Sequence, residues 1–333
     1  MKYRGHRSWA AFVFATSATR SLIGGLSAAA AWSMVAALTA FWPDKLESDW
    51  AYTGSLAAAC GALAAALAFA ALAGIRLTVF QRLQRLSPWL FALALFLAVW
   101  EVVTAKLGLL PLPFFPPPQA IVEVVIDDRG RLAAGIFASA RLLATGYFLG
   151  AAVGFVTGVA IGWSRLAGYW IHPILRFIGP LPATAWLPLA FFVFPSSFSA
   201  SIFLIALATG FPVTVLTWSG VAGVNSAYYD IARTLGATQR FLVLKVAIPA
   251  AMPHVFVGLF MGLGNSFAVL VVAEMLGVKA GLGWYLQWAQ GWAAYANMYA
   301  ALLLMAFLCS GLITLLFRLR DRLLSWQKGL VRW

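Results

Sequence analysis

Two ionisable side chains, Arg141 and Glu274, stand in stretches of this 333-residue chain that are otherwise apolar. A charge at mid-bilayer costs about 2.5–3.5 kcal/mol on insertion scales, so such residues persist where they act or where they can reach water. Arg141 precedes Trp163 by 22 residues (163 − 141) within one apolar run. That spacing puts it near a membrane surface, where it either snorkels or meets an anionic solute. Glu274 ends another apolar run and either holds a gate or pairs with Arg141. Other reactive types are sparse. Cys60 and Cys309 lie inside apolar runs, and His6, His172 and His254 are scattered, so neither a disulfide framework nor a metal site is expected. A self-sufficient transporter would carry acidic or polar ligands in mid-span, and an intramembrane enzyme a Ser/His pair, an Asp pair or a metal cluster. Neither pattern stands out, and a self-sufficient transporter or an intramembrane enzyme is the alternative to a subunit driven by a partner.

The richest pattern runs from Tyr228 to Gly258, YYDIARTLGATQRFLVLKVAIPAAMPHVFVG. It reads as a short polar helix-turn-helix between two runs apolar enough for lipid. Asn225 or Ser226 can cap the first helix, with Asp230 in a first turn that favours acids. Gly236 falls where a left-handed C-terminal cap is wanted, and Thr238 restarts the chain. The plain alternative is a solvated turn between helices.

The elements that must carry these residues are membrane helices. Of the residues, 63% are hydrophobic and 10% charged, against about 25% charged in soluble domains. The fold class is therefore all-α and polytopic. The net charge of +13 does not indicate nucleic acid, because the basic residues form short clusters between apolar runs instead of one stripe. Membrane lipids are the partner they suit. With about 20 residues per crossing, eight spans are predicted near 21–42, 51–75, 88–106, 135–163, 181–195, 202–221, 250–274 and 297–317. The shortest, 181–195, is interrupted by Pro182, Pro188 and Pro195 and competes with a re-entrant loop; charge parity favours a crossing.

Charge asymmetry orients the set. With the N-terminus inside, the inner segments carry Lys2, Arg4, Arg7, Arg20, Arg76, Arg82, Arg85, Arg165, Arg176, Arg233, Arg240, Lys245, Arg318, Arg320, Arg322, Lys328 and Arg332 against Asp230 and Asp321. The outer segments carry Lys45, Lys106, Arg129, Arg131 and Lys279 against eight acids, among them Asp44, Glu47, Asp49, Glu101 and Glu274. The positive-inside rule expects this, with both termini cytoplasmic. Residues 21–42 have the outline of a secretory signal but exceed a signal core, and are expected to remain as a helix.

Gly146, Gly150, Gly154, Gly158 and Gly162 recur every four residues. On a helix they form one stripe along which a neighbouring backbone can approach closely, either as static packing or as a contact that slides. Trp284, Trp288, Trp292 and Tyr295 suit an interfacial belt; Trp284 and Trp288 could instead cover a pathway mouth.

Asp230-Ile231-Ala232, three residues, then Gly236 resembles the Glu-Ala-Ala coupling loop of permease subunits in ABC importers. Asp for Glu keeps the charge; Ile for Ala departs from the pattern. Trp100-Glu101, PFFPPPQAI at 113–121, the run SARLLATGYFLGAAVGFVTGVAIGWSR at 139–165, AEMLG at 273–277 and GLGW at 281–284 extend the likeness to the nitrate, sulfonate, taurine and bicarbonate branch. The resemblance implies a type I importer core of six helices at 87–333, with a cytoplasmic coupling loop at 225–247 and coupling residues Tyr229, Asp230, Ile231, Ala232, Arg233, Thr234, Leu235, Gly236 and Ala237. It implies a homodimer in a bacterial inner membrane, two ABC ATPase subunits and a periplasmic or lipid-anchored binding protein. The solute would be a small oxyanion. No Gly-Lys dipeptide occurs, hence no phosphate-binding loop of the G-x-x-x-x-G-K-[ST] kind. The chain itself is not expected to be an enzyme or to bind a cofactor; ATP and Mg would be used by the partner. Residues 1–86 remain as an accessory hairpin, expected to be dispensable for the transport cycle.

Overall fold

The computed structural model describes residues 6–45, 50–72 and 78–327. Lys2, Arg4, Glu47, Asp49, Arg76, Lys328 and Arg332, counted in the charge asymmetry, lie outside them. The chain forms helices α1 (His6–Phe41), α2 (Thr53–Leu72), α3 (Thr78–Glu101), α4 (Pro118–Asp127), α5 (Arg129–Trp163), α6 (Arg165–Ile178), α7 (Leu187–Val193), α8 (Ser197–Ala222), α9 (Ser226–Thr234), α10 (Gln239–Phe241), α11 (Ile248–Leu276), α12 (Leu282–Gly291) and α13 (Tyr295–Leu323). No strand occurs among the described residues. Among the described residues, seven helices are long and apolar enough to cross a membrane, or eight if the bent pair 165–178 and 183–193 is one span.

That pair holds the expected span at 181–195 and extends it back to residue 165, as one bent crossing or a re-entrant loop. A 3-10 turn at Ala183–Trp186 leads into α7, whose seven residues extend about 10 Å, far short of a hydrocarbon core of roughly 30 Å. Pro188 is accommodated in the first turn of α7, and Pro195 follows its C-cap, so this helix is held to two turns. It meets α6 at 86°. Helix α6 itself lies in the inner segment that carries Arg165 and Arg176. The Ser164 hydroxyl caps it by accepting from the Ala167 amide at 3.3 Å, and Leu166, Trp170, Ile174 and Phe177 form an exposed apolar stripe.

The chain divides into two compact units, residues 1–129 with 293–300, and residues 130–292 with 301–333. In the first, α1, α2 and α3 share a core of small side chains, including Ala28, Ala29, Cys60, Ala64, Ala94 and Ala98. The residue at which the core was expected to begin, Pro88, thus lies in a helix packed on the N-terminal pair. A buried charged network adds to this unit. Lys106 Nζ contacts Asp44 at 2.7 Å and Glu101 at 3.6 Å and donates to the Trp42 carbonyl. Glu101 accepts from Thr39 at 2.7 Å and from Gln119 at 3.0 Å.

The second unit is built on the glycine stripe of α5, which lies against α8. A Cβ on Gly146 would stand 2.6 Å from Ile205, on Gly154 2.6 Å from the Gly210 carbonyl oxygen, on Gly158 2.6 Å from Thr217 and on Gly162 2.7 Å from Val221. At Gly150 it would strike the Ala206 backbone. Both helices sit in apolar surroundings, where close backbone approach takes the place of hydrophobic drive. Thr157 and Thr214 bridge the seam through hydroxyls 3.0 Å apart. Leu142, Tyr147, Leu204, Ile205, Leu263 and Leu270 fill the adjoining core, and the Tyr147 hydroxyl donates to the Leu259 carbonyl at 2.9 Å.

Candidate functional site

Helix α9 is short, polar and closed at both ends. The Asn225 side chain caps it by accepting from the Ala227 amide at 2.9 Å. At the other end Gly236 has φ +79, with its amide bonded to the Arg233 carbonyl at 2.9 Å and the Ala237 amide to the Ala232 carbonyl at 3.0 Å. This pair of bonds is a Schellman cap, and the left-handed residue it needs is the expected glycine. Thr238 then starts α10 by accepting from Phe241 at 3.4 Å. One detail differs from expectation. Capping at Asn225 makes Asp230 the fifth helical residue, beyond the first turn, where it pairs with Arg233 at 3.1 Å on the surface.

The two faces of α9 have different surroundings. Tyr228, Ile231 and Leu235 are 61%, 61% and 83% exposed, a spacing of three and four that makes one apolar ridge. Tyr229 turns inward. Its ring meets Trp163, at the end of α5, edge-on at a centroid distance of 5.7 Å, and it packs with Val221 of α8 and Ala251 of α11. Burial lifts the Tyr229 hydroxyl above its ordinary value, and the Arg233 charge offsets part of that. One tyrosine thus ties the polar helix to three long ones. Ala232 is half-buried, while Thr234 bonds only its own helix, to the Ile231 carbonyl at 2.7 Å.

Near the far end of α5 lies a second polar cluster. Glu274, 1% exposed at the end of α11, accepts through one oxygen from the Ser139 hydroxyl at 2.9 Å and from the Gly283 amide at 2.8 Å. Ser139 in turn accepts from the Leu282 amide at 2.9 Å. Gly281, at φ +105, is required for its conformation and because a side chain there would occupy the place of the carboxylate. The quoted segments AEMLG and GLGW are therefore two sides of one contact. Ser139 was missed as its partner, since nothing local connects residues so far apart in sequence.

Arg141 is not part of this cluster. Its guanidinium carbon lies 5.3 Å from the centre of the Phe198 ring and the side chain is exposed. Trp288 packs with Tyr285 at 5.5 Å and lies 5.9 Å from Arg131, whereas Trp284 is 41% exposed on the same helix.

Residues 146–328, a span that contains the glycine seam, α9 and Glu274, match the family described as binding-protein-dependent transport system inner membrane component. The chain belongs to that family. This inner membrane component is 30% identical over 262 residues to the nitrate import permease protein NrtB of Synechococcus elongatus, covering 75% of this chain and 91% of that one. It is 29% identical to SsuC of Bacillus subtilis, provisionally named for aliphatic sulfonates transport, over 71% of this chain and 86% of that one. To the bicarbonate transport system permease protein CmpB of Synechococcus elongatus it is 28% identical, over 72% and 85%. The component is thus a multi-pass transport subunit.

Proposed function

We propose that this chain is the permease subunit of an ATP-driven importer, forming the passage for a small oxyanion such as nitrate, a sulfonate or bicarbonate. The observation that carries the mechanism is the two-sided α9: an exposed Tyr228, Ile231 and Leu235 ridge suited to a groove on an ATPase, and Tyr229 seated on Trp163. Nucleotide-driven motion of the ATPases would move α9, and Tyr229 would hand that motion to α5, α8 and α11. The coupling residues are then Tyr229 to Ala237. Glu274, Arg141, Trp284 and Trp288 belong to the opposite end, Glu274 holding the turn before α12 and the other three facing the approach of the solute.

The assembly we propose is a homodimer in a bacterial inner membrane, both termini cytoplasmic, with two ATPases that use ATP and Mg and an external binding protein that delivers the solute. Residues 87–333 form the transport core and residues 1–86 an accessory hairpin. The names of the relatives support the solute class, and the share of this chain that they cover leaves room for an added segment. The test is reconstitution of the full chain with an ATPase and a binding protein of the same organism. Vesicles should accumulate labelled nitrate, taurine or bicarbonate when ATP and loaded binding protein are both present. Uptake by the chain alone, driven by a proton or sodium gradient, would assign it to the self-sufficient transporters instead.

A further inference from the structure

The second unit holds two neighbouring cavities with a common wall. One, of about 370 Å³, is lined by Thr184, Ala208, Pro212 and Asn265 among apolar side chains. The other, of about 380 Å³, is lined by His172 and Arg176. Phe211 and Gly179 line both. They meet closely: a Cβ on Gly179 would stand 2.7 Å from the Phe211 ring, so the ring lies directly on backbone.

The polar groups of the first cavity are unusual for their place. Asn265 comes seventeen residues (265 − 248) into α11, within an apolar span of 38 residues, yet its side chain is exposed and bonds to no described residue. The Thr184 hydroxyl also lacks a described partner. Pro212 brings no amide to the Ala208 carbonyl four residues before it, which leaves an acceptor at the same wall. An amide inside an apolar span and a hydroxyl at the turn beside it, both without described partners at the cavity wall, call for a solute or water to complete them. No Asp or Glu lines either cavity, and Arg176 carries a positive charge into the second. Neutral donors have a further merit in a passage, since a solute must be held strongly enough to enter and weakly enough to leave.

We propose that the two cavities are successive stations for an anion, with the Asn265 amide and Thr184 hydroxyl as hydrogen-bond donors to it, Arg176 as the charge that attracts it, and Phe211 on Gly179 as the constriction between the stations. This rests on the permease reading and adds the groups that touch the solute. In the sequence the one signal of this site is a lone asparagine inside a long apolar run.

The test is thiol accessibility in the full chain carrying Cys60→Ala and Cys309→Ala, in unsealed membrane fragments so that both faces are reachable. Asn265→Cys and, separately, Thr184→Cys are treated with the anionic sulfonatoethyl and the cationic trimethylammonium methanethiosulfonates. Relative to free cysteine, the anionic reagent should be favoured at least tenfold at either position. Arg176→Gln should abolish that preference, Phe211→Ala should speed both reagents, and millimolar nitrate or taurine should slow the anionic one. Absence of reaction at both positions, a preference equal to that of free cysteine, or indifference to Arg176→Gln overturns the proposal. If one cysteine variant fails to insert, the other reports on the same cavity. Labelling needs no ATPase, so failure of ATP-dependent import, which would sink the permease reading, is read separately.

Discussion

The Ser139 hydroxyl donates to Glu274 across 135 residues of chain, at 2.9 Å, while accepting the Leu282 amide at the same distance. A single hydroxyl thereby satisfies both a buried carboxylate oxygen and a buried backbone amide, and joins α5 to the ends of α11 and α12.

Ser139→Ala leaves both groups short of a partner and is expected to destabilise the protein by about 1–3 kcal/mol. Glu274→Gln keeps an acceptor for Gly283 and should be milder than Glu274→Ala. Thermal unfolding in detergent measures all three, and a Ser139→Ala protein as stable as wild type refutes the role given to this bond.

The seam between α5 and α8 tolerates no side chain at its centre. Gly150→Ala would drive a methyl into the Ala206 backbone, and overpacking of this kind costs about 1–3 kcal/mol. Gly130→Ala, on the same helix but facing open space, should be neutral or slightly stabilising. Equal melting temperatures for the two variants would show that the helices separate freely.

The two faces of α9 should fail in different ways. Ile231→Asp is expected to weaken ATPase association, whereas Tyr229→Ala should leave association intact and lower the hydrolysis stimulated by loaded binding protein. Gly236→Val forces a β-branched residue to φ +79, straining the cap by roughly 1 kcal/mol or more without blocking insertion. Co-purification and stimulated ATPase rates separate these outcomes; wild-type import by Gly236→Val would remove α9 from the coupling path.

The charged network of the first unit makes residues 1–86 more than a lipid-facing addition. Lys106 and Asp44 are 1% and 15% exposed, and breaking a buried pair by removing one partner costs about 3–5 kcal/mol. Asp44→Ala should show this in unfolding experiments. A chain beginning at residue 87 loses Trp42, Asp44 and Thr39 together and should give poor yield, partly restored by Lys106→Met with Glu101→Leu. Good yield without those changes would show that the network is not needed.

Orientation is tested by cysteine labelling. Glu47→Cys should react with an impermeant reagent in intact cells and Gln327→Cys should not; the reverse pattern rejects cytoplasmic termini.

The long helices were legible because lipid demands continuous apolar runs, and seven of the eight expected spans fall on long apolar helices. The cap at Gly236 was legible because its chemistry is local. What escaped was of two kinds. Helix α6 carries a helical stripe from Leu166 to Phe177, but Arg165 and Arg176 placed it among the inner segments between spans. The partners of Glu274 and the Asn265 cavity depend on contacts between distant segments, which neither periodicity nor spacing encodes.

Trp163, on which Tyr229 rests, and Ser139, which holds Glu274, belong to one unbroken helix, 24 residues apart (163 − 139). That is about 36 Å of stiff rod at 1.5 Å per residue. A tilt of about 5° about the Trp163 end would sweep Ser139 through about 3 Å, as far as its bond to Glu274 is long. A rotation of only a few degrees where α9 meets α5 is thus enough, by the length of the rod alone, to open the Ser139–Glu274 bond at its other end.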